Sequence, residues 1–419
     1  MRVAAFLTCL LLCVGGAHAA ESERTVVVVM FDGLAPAMVD AANTPNFDRI
    51  REEGAWSNHL APAFPSVSLP NHTTFITGCW PERHGIVSNV FIDPKRGPYY
   101  SARDADWLMD CEPIWVAAER QGVRAAVLGF TARFSGTKGP QASHVDREIQ
   151  WERWGTDLER AGEVVRLLNE PDETRPALIA IYMRGPDSVA HSKGTLAPET
   201  LKVVEESDTV VGRLMQGIAA LPAGREASLI VGTDHGMIDV GPLVNIGRIM
   251  HKHDIEAQVR ASGASAYLYL DDENETGRVA EALDRYSDIF VTYRKGAYPD
   301  FARIGDGPRT GDLLLVANHP YWLVGSDAFP AYAHWLGLTR FWSVSFTPLF
   351  GGVKATHGYD PAAVPEMHGI FYAWGAGVAK GREIDRLDMV DVHPTVMALM
   401  GLEPGEPVDG KEVGVVLAD

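Results

Sequence analysis

Short apolar runs alternate with longer amphipathic segments along most of the chain. Four runs rich in Val, Ile, Leu and Ala end abruptly in polar residues, as strands of a parallel sheet buried on both faces do. The predicted strands are Val26–Met30, Ala177–Tyr182, Leu229–Val231 and Ile370–Ala373. The predicted helices are Pro45–Glu53, Pro113–Gln121, Asp157–Leu168 and Glu199–Ala220. Strands that alternate with helices predict an α/β fold of three layers, with a parallel sheet between two layers of helices.

The first predicted helix has a clear start. Thr44 offers a side-chain oxygen that can accept a hydrogen bond from the first turn, and Pro45 needs no partner for the N–H that it lacks. We therefore expect Thr44 to cap this helix.

Two later segments depart from the alternation of strands and helices. Residues 255–330 contain shorter alternating stretches and predict a smaller, β-rich cap subdomain. Residues 331–352 are unusually rich in Trp and Phe. They predict either a packed insertion that covers the sheet or a lid that contacts apolar substrate or a membrane surface. Arg340 and Pro348 argue against a transmembrane helix in this segment.

The first 19 residues are typical of a leader rather than of the folded domain. Arg2 precedes an apolar run from Val3 to Val14, and Ala17-His18-Ala19 provides a small-residue cleavage site. These features predict a secretory signal peptide in residues 1–19. The run is too short to span a bilayer comfortably, which disfavours a retained membrane anchor. The sequence therefore predicts an exported protein, periplasmic or secreted, whose folded domain occupies residues 20–419.

Composition and charge narrow the function further. The 419 residues are 46% hydrophobic, enough for a substantial core, and carry a net charge of −18 at pH 7. This charge argues against nucleic-acid binding. An anionic substrate would need local positive charge, which bound divalent metals can supply where Lys and Arg do not. Beyond the leader the chain has two cysteines, Cys79 and Cys111, which form either one disulfide in an oxidising compartment or two buried thiols.

Acidic and imidazole side chains follow the predicted strands at the ends where such sheets bind ligands. Asp32 ends the first run, Asp187 follows the second, and Asp234 and His235 follow the third. Carboxylates and imidazoles suit zinc and related divalent ions. The four-residue spacing from Asp187 to His191 allows both side chains to face one ion. The adjacent Asp234 and His235 can share a second ion if the backbone turns between them.

A serine is the candidate nucleophile. A serine hydroxyl is a poor nucleophile at neutral pH because its pKa is high, and a metal ion bound to its oxygen favours the alkoxide. Ser66 and Ser68 compete for this role within residues 64–89. The residues alone do not separate the two.

Five motifs in order resemble those of the nucleotide pyrophosphatase/phosphodiesterase family of the alkaline phosphatase superfamily. The motifs are VVVVMFDGL, FPSVSLPNHTTFITGCWPERHGIVSN, PDSVAHSKG, TDHGM and THGYDP. The resemblance covers nearly all of the chain after the leader and implies an alkaline phosphatase-like sheet. It also implies a phosphodiesterase with two zinc ions per chain. Such an enzyme cleaves phosphodiester or phosphoanhydride bonds in small, nucleotide-type phosphate esters through a phosphoserine intermediate.

The resemblance assigns roles to individual residues. Family members carry a Thr or Ser directly before an apolar residue and Pro-Asn, which selects Ser68 as the nucleophile. Asn89 matches the asparagine that helps to bind the phosphoryl oxygens, and the backbone N–H of Leu69 is expected to assist it. The ligands implied for the substrate-side zinc are Asp187, His191 and His357. The ligands implied for the nucleophile-side zinc are Asp32, Asp234, His235 and the Ser68 oxygen. The histidines that match no ligand position, and are assigned structural roles, are His72, His84 and His368.

The resemblance leaves the substrate open. Leu69 stands where many nucleotide-cleaving relatives have an aromatic residue, and other relatives cleave choline-containing phospholipids. A choline-phospholipid or glycerophosphodiester substrate is therefore an alternative. The neutral Asn89 suits a diester better than a dianionic monoester, which makes a phosphomonoesterase the weaker alternative.

Two further interpretations and the assembly state are also open. Ser68-Leu69-Pro70 resembles the start of the sulfatase signature, but His72 stands in place of its arginine. A catalytically silent metal-binding module is the non-enzymatic alternative, against which the full set of ligands and the Ser68 hydroxyl argue. The sequence does not indicate an oligomeric state.

Overall fold

The structure is a computed structural model that describes residues 24–99, 107–130, 139–145, 155–325, 345–346 and 352–418. The predicted signal peptide lies outside these residues. The aromatic-rich segment 331–352 also lies outside them, apart from residues 345, 346 and 352. None of the described helices is both long and apolar enough to cross a membrane.

Strands and α-helices alternate along most of the described residues. The strands are β1 (Arg24–Phe31), β2 (Ala55–Ala61), β3 (Phe91–Asp93), β4 (Gly97–Tyr99), β5 (Ala125–Leu128), β6 (His144–Val145), β7 (Leu178–Met183), β8 (Glu226–Thr233), β9 (Ile238–Asp239), β10 (Leu243–Asn245), β11 (Ala257–Ser262), β12 (Ser265–Leu270), β13 (Phe290–Arg294), β14 (Leu313–Ala317), β15 (Trp322–Val324), β16 (Ser345–Phe346), β17 (Ala355–Thr356), β18 (Gly369–Gly375), β19 (Arg382–Glu383) and β20 (Leu387–Asp388). The α-helices are α1 (Pro36–Ala41), α2 (Pro45–Glu53), α3 (Ser68–Thr77), α4 (Pro81–His84), α5 (Ile114–Arg120), α6 (Asp157–Leu168), α7 (Asp187–Lys193), α8 (Pro198–Ala219), α9 (Ile246–Lys252), α10 (Thr276–Leu283) and α11 (Val392–Leu399).

A nine-stranded sheet lies at the centre of the fold, in the order β19-β2-β18-β8-β1-β7-β5-β6, with β20 also paired with β2. Strand β1 shows why the sheet is buried on both faces. Val26 and Val28 join one hydrophobic cluster and Val27 and Val29 the other, because successive side chains of a strand point to opposite faces. Helices α3, α5 and α11 contribute to the first cluster, and α2, α6 and α8 to the second. The predicted three-layer α/β fold is confirmed.

The direction of one strand differs from the prediction. Strands β8, β1, β7 and β5 are parallel, whereas β18 runs antiparallel to both β8 and β2. The prediction of a parallel strand at Ile370–Ala373 is therefore wrong in its direction. The chain enters β18 from the end of the sheet where β8 finishes, since the Gly236 N–H donates to the Met367 carbonyl at 2.6 Å. A strand that starts at that end must run against β8.

The start of α2 also differs from the prediction. Thr44 occupies the position before the helix, but its side chain makes no capping bond, and its hydroxyl instead donates to the Val39 carbonyl at 3.2 Å. The carboxylate of Asp208 on α8 accepts from the N–H groups of Asn46 and Phe47, both at 2.9 Å. The first turn of α2 is thus capped by a residue 162 positions away from Asn46.

Residues 255–330 contain a separate four-stranded sheet in the order β11-β12-β14-β13. Leu268, Val279 and Phe290 belong to a third hydrophobic cluster beneath it. Tyr267, on the other face of β12, packs into the first cluster of the main sheet. The division of the chain into a main domain and a cap subdomain stays a prediction.

Cys79 and Cys111 form a disulfide, with their Cα atoms 6.5 Å apart. The sequence left a disulfide and two free thiols open. The bond connects the turn after α3 with the segment that leads into α5. It therefore ties together two connections on the face of the sheet that α3 and α5 cover.

Candidate active site

Three acidic side chains lie at the carboxyl ends of three neighbouring strands. Strands β8, β1 and β7 are adjacent and in register at their ends. Asp234 follows β8 directly, Asp32 follows β1 directly, and Asp187 is the first residue of α7, just after β7. The loops after β1 and β7 touch, because Gly185 has a φ of 56° and a Cβ there would overlap the Asp32 carbonyl. The sheet thus brings the predicted acids together.

Asp187, His191 and His357 form one group, in which one possible ligand atom from each residue lies within 4.8 Å of the other two. Oδ1 of Asp187 is 3.3 Å from Nε2 of His191 and 3.7 Å from Nε2 of His357. The spacing of four residues on α7 turns Asp187 and His191 to the same side. His357 arrives from the other direction, immediately after β17.

Asp32, Asp234 and Ser68 surround the ring of His235. Nε2 of His235 lies 3.7 Å from Oδ1 of Asp32, 3.3 Å from Oδ2 of Asp234 and 3.3 Å from Oγ of Ser68. Ser68 is the first residue of α3, so its hydroxyl lies at the positive end of that helix. The rings of His235 and His357 stack, with centroids 3.7 Å apart, and this contact joins the two groups.

The structure separates the two candidate serines. The Ser66 hydroxyl is fully buried, donates to the Tyr359 carbonyl at 2.7 Å and accepts from the Gly358 N–H at 3.2 Å. Both interactions are with the backbone that follows His357. Ser68 is the serine whose oxygen lies beside the carboxylates and imidazoles.

Backbone carbonyl groups orient the three imidazoles. Nδ1 of each ring lies 2.7 to 3.0 Å from a carbonyl oxygen. The pairs are His191 with Ala355, His235 with Gly236, and His357 with Ser66. Because a carbonyl only accepts, each Nδ1 carries a proton, and in the neutral ring Nε2 is then the nitrogen with a free lone pair for a metal ion. Metal-bound histidines show this arrangement, in which the outer nitrogen donates to the protein.

The carboxylates also have oxygen atoms suited to a cation. Oδ1 of Asp32 and Oδ1 of Asp187 are buried and accept no hydrogen bond. The Tyr182 hydroxyl donates to Oδ2 of Asp32, which leaves Oδ1 directed at His235. Buried carboxylate oxygens without donors are unfavourable unless a cation binds them. The donor set of carboxylate oxygens and imidazole nitrogens fits divalent metal ions.

The acids and histidines of the cluster shift one another's pKa values. Burial and then the charges of Asp234 and Asp187 raise the pKa of Asp32 well above its ordinary value. Burial also acts to raise the pKa of Asp187 and of Asp234, but neighbouring histidines hold both below the usual range. Burial and the charge of His235 lower the pKa of His357 to about 3, so this ring is neutral at neutral pH, as a ligand must be. A bound cation would relieve the repulsion among the acids.

Leu69 and Asn89 lie beside Ser68 and are bonded to each other. The Leu69 N–H donates to Oδ1 of Asn89 at 2.7 Å. In this conformation the Leu69 N–H is therefore engaged by Asn89 rather than directed at a substrate. The carboxamide nitrogen is the donor group of the Asn89 side chain.

Sequence reasoning missed two residues that contact the cluster. His72, assigned only a structural role, has Nε2 3.1 Å from Oδ2 of Asp234. Its position one helical turn after Ser68 is a signal that could have placed it on the same side of α3. Tyr182, the donor to Asp32, ends a predicted strand, but nothing in the sequence marks the direction of its hydroxyl.

The other two histidines with predicted structural roles make contacts elsewhere. Nδ1 of His84 accepts from the Ile86 N–H at 3.1 Å, and Nε2 lies 3.0 Å from the Thr74 hydroxyl. His368 packs edge-on against His59, with ring centroids 5.8 Å apart.

The fold and site define an α/β protein with a candidate centre for divalent cations at the carboxyl edge of its sheet. The chain belongs to the type I phosphodiesterase/nucleotide pyrophosphatase family, since residues 26–360 match the family model of that description. The family predicted from the order of the motifs is confirmed. Membership places the chain among hydrolases of phosphodiester bonds.

Relatives of similar extent agree with this family. The chain is 27% identical over 419 aligned residues to an uncharacterised pyrophosphatase/phosphodiesterase of Schizosaccharomyces pombe, covering 94% of this chain and 80% of that protein. It is 26% identical over 400 residues to human ectonucleotide pyrophosphatase/phosphodiesterase family member 7, covering 93% and 82%. Murine ectonucleotide pyrophosphatase/phosphodiesterase 5, solved as an inactive variant in complex with AMP, has a TM-score of 0.79. At 21% identity, over 94% of this chain and 100% of that one, this likeness concerns the fold.

Proposed function

We propose that the protein hydrolyses phosphodiester or phosphoanhydride bonds of nucleotide-type substrates, with Ser68 as the nucleophile and a phosphoserine as the intermediate. One observation carries the proposal: the Ser68 oxygen lies 3.3 Å from Nε2 of His235, at the edge of a cluster of three carboxylates and three imidazoles. A serine so placed, in a chain of this family, is suited to attack phosphorus. The AMP bound to the related murine protein supports a nucleotide-type substrate.

We propose that the cluster holds two zinc ions. Asp187, His191 and His357 would hold one ion, and Asp32, Asp234 and His235 would hold the other beside the Ser68 oxygen. Bound zinc would supply Lewis acidity at the phosphoryl oxygens and the positive charge that an anionic substrate requires. The support is the pair of buried Oδ1 atoms without donors, together with the short distances from Nε2 of each of the three histidines to a carboxylate.

The chain's own groups perform the displacement. Oγ of Ser68 gives up its proton and attacks phosphorus while the bond to the leaving oxygen breaks, and that oxygen takes up a proton. Water then attacks the same phosphorus, breaks its bond to Oγ and returns a proton to Ser68, which releases the phosphate product. The carboxamide nitrogen of Asn89 donates to a phosphoryl oxygen as charge develops there. Hydrogen bonds from the Nδ1 atoms to backbone carbonyls keep the imidazoles in one orientation throughout.

Charge favours a diester over a monoester. A dianionic phosphate is usually bound with extra Arg or Lys side chains. Arg83 is the only arginine or lysine in residues 64–89, and it pairs with Asp409 at 2.8 Å. Asn89, the donor to the phosphoryl group, is neutral. A diester carries one negative charge fewer and suits this site better.

A diester with an apolar leaving group is the second candidate, and a cavity next to His191 favours it. The cavity has a volume of about 300 Å³, and its apolar wall includes Trp322, Leu323, Val324 and Val353. No lysine or arginine is among its described lining residues, so this wall suits an organic group better than pyrophosphate. A choline phospholipid, which releases an apolar lipid alcohol, belongs to this class.

The test compares three chromogenic substrates with one zinc-replete preparation: a nitrophenyl nucleotide diester, nitrophenyl phosphorylcholine and nitrophenyl phosphate. We expect the nucleotide diester to be hydrolysed fastest, whereas a faster choline ester would select the second candidate. A dominant monoester rate would overturn the preference for diesters. Acid quenching during turnover should trap phosphate on Ser68, detected by mass spectrometry of peptides.

Matched serine variants test the nucleophile. Ser68→Ala should abolish turnover and phosphate trapping while the zinc content stays near two per chain. Ser66→Ala, which removes a hydroxyl two residues away, should still allow phosphate to be trapped on Ser68. Normal turnover by Ser68→Ala would refute the assignment.

We also propose that the protein is exported through residues 1–19 and acts on small molecules outside the cytoplasm. The support is the leader pattern that begins with Arg2 and ends with Ala19, together with a net charge of −18 that opposes nucleic-acid binding. Expression of the full chain, followed by N-terminal sequencing of the exported product, tests this. A product that keeps Met1 would contradict it.

A further inference from the structure

Asn89 lies in a segment that has no regular structure of its own. Residues 85–90, between α4 and β3, belong to neither a helix nor a strand. Backbone N–H and C=O groups in such a segment need partners from elsewhere in the protein. The position of Asn89 therefore depends on the groups that hold this backbone as well as on the bond from the Leu69 N–H to its side chain.

Three side chains from the region of the four-stranded sheet hold the backbone on both sides of Asn89. The bonds are from the Tyr267 hydroxyl to the Val87 carbonyl at 3.1 Å, from the Ile92 N–H to the Tyr269 hydroxyl at 3.1 Å, and from the Arg309 guanidinium to the Gly85 carbonyl at 2.7 Å. We call Tyr267, Tyr269 and Arg309 the Asn89 cradle.

The pattern of the sequence explains how the cradle forms. Tyr267 and Tyr269 are two residues apart on β12, so both side chains lie on the same face, while Leu268 packs into the core on the opposite face. The Tyr269 hydroxyl donates to the Arg309 carbonyl at 2.7 Å. The rings of Tyr267 and Tyr269 also pack edge to face, with centroids 6.3 Å apart, so each member of the cradle contacts another.

Arg309 is fixed from the other side as well. Its guanidinium is buried, 2.9 Å from the Asp93 carboxylate and 2.7 Å from the Trp107 carbonyl. Asp93 ends β3, so Arg309 is bonded to the chain both before Asn89, at Gly85, and after it, at Asp93. Burial raises the pKa of Tyr267 and of Tyr269, so both hydroxyls keep their protons at neutral and mildly alkaline pH.

We propose that Tyr267, Tyr269 and Arg309 are positioning residues that place the Asn89 carboxamide for phosphoryl transfer by fixing the backbone of residues 85–92. The inference rests on the proposed function, in which Asn89 donates to a phosphoryl oxygen. A displacement of a reacting or binding group by about 1 Å can lower a rate by about 10²-fold. The three residues thus contribute to catalysis through the position of Asn89.

The first experiment removes one hydroxyl at a time. Tyr267→Phe should lower kcat on the order of 10-fold with little change in KM, because the donor is misplaced mainly in the transition state. Tyr286→Phe is the matched control, since its hydroxyl lies in the same region but bonds to Nε2 of His253 at 2.9 Å. It should keep the wild-type kcat. Equal kcat values for the two variants and the wild type would overturn the proposal.

A double-mutant cycle separates positioning from a general loss of structure. Asn89→Ala should lower kcat by about 10²-fold, and adding Tyr267→Phe should cause no further loss, because the hydroxyl acts only through Asn89. An equal additional loss in the Asn89→Ala background would overturn the proposal. If Tyr267→Phe fails to fold, Tyr269→Phe completes the same cycle.

These experiments distinguish an error in the positioning role of the cradle from an error in the proposed function. An Asn89→Ala variant with the wild-type kcat would refute the positioning role, while trapping of phosphate on Ser68 would still support the serine mechanism. Absence of phosphate from Ser68 would refute the serine mechanism itself. A kcat that falls in Asn89→Ala but not in either tyrosine variant would refute only the positioning role of the cradle and would leave the role of Asn89 supported.

Discussion

Replacing His393 by Gln should reduce the loss of stability that the protein suffers in acid. His393, on α11, is fully buried, with Nδ1 2.8 Å from the Ile76 carbonyl oxygen and Nε2 2.7 Å from the Gly405 nitrogen. A carbonyl accepts and a backbone N–H donates, so Nδ1 carries the proton and Nε2 accepts. Only the neutral ring satisfies both bonds, because a proton on Nε2 would face the Gly405 N–H.

The magnitude follows from the pKa of this ring. Burial lowers the pKa of His393 to about 4 in the folded protein, against about 6.5 in an unfolded chain. The unfolded chain therefore takes up a proton at a higher pH than the folded protein. The stability that depends on the neutral ring is complete above about pH 6.5 and is lost at about 1.4 kcal/mol per pH unit as the pH falls toward 4. Between pH 7.5 and pH 5 the loss is about 2 kcal/mol.

Urea unfolding at pH 7.5, 6.5, 5.5 and 5 measures this effect. The wild type and His393→Gln are compared in the same metal-chelating buffer, so that the clustered histidines contribute equally to both. The variant should be less stable at pH 7.5, yet lose about 2 kcal/mol less than the wild type on going to pH 5. The control His251→Gln, at an exposed position, should lose as much stability as the wild type between pH 7.5 and pH 5. If the free energy of unfolding fell equally with pH in His393→Gln and in the wild type, the reasoning would be refuted.

Three further predictions concern the fold and the candidate metal centre. Asp208→Ala should lower the free energy of unfolding by about 1–3 kcal/mol, because two N–H groups of α2 lose their acceptor. Thr44→Val should lower it by less. If urea unfolding showed Thr44→Val to be the less stable variant, Asp208 would not be the cap of α2. Tyr182→Phe should weaken zinc binding by about 10–100-fold in chelator competition; an unchanged affinity would show that the bond to Asp32 is dispensable. His357→Ala should lower zinc content and turnover together; full zinc content would remove His357 from the ligands.

The fold could be predicted where the pattern is local. The run that forms β1 predicted a strand buried on both faces, and α6 begins and ends where its amphipathic pattern indicated. The direction of β18 could not be predicted, because an apolar run is the same read in either direction. The cap on α2 could not be predicted either, because Asp208 reaches it only after α8 has packed against α2.

The candidate site could likewise be predicted only where spacing along the chain determines it. The four-residue spacing on α7 indicated that Asp187 and His191 would face one side. In the structure Oδ1 of Asp187 lies 3.3 Å from Nε2 of His191. Ser66 and Ser68 could not be distinguished by residue type, since the difference between them is that the backbone after His357 engages one hydroxyl. The cradle around Asn89 joins residues 180 positions apart, and alternation along β12 predicts its face but not its partner.

We predict from the charge of the chain and the arrangement of the site that substrate and metal bind cooperatively. The chain carries a net charge of −18, three carboxylates cluster at one edge of the sheet, and Arg83 is committed to Asp409. A phosphate ester would approach this cluster only when bound cations outweigh the acids. Binding free energies are reciprocal, so a metal that strengthens substrate binding must itself be held more tightly by the same factor when substrate is present. A slowly hydrolysed diester should therefore protect the protein against chelation, whereas an uncharged analogue of similar size should not.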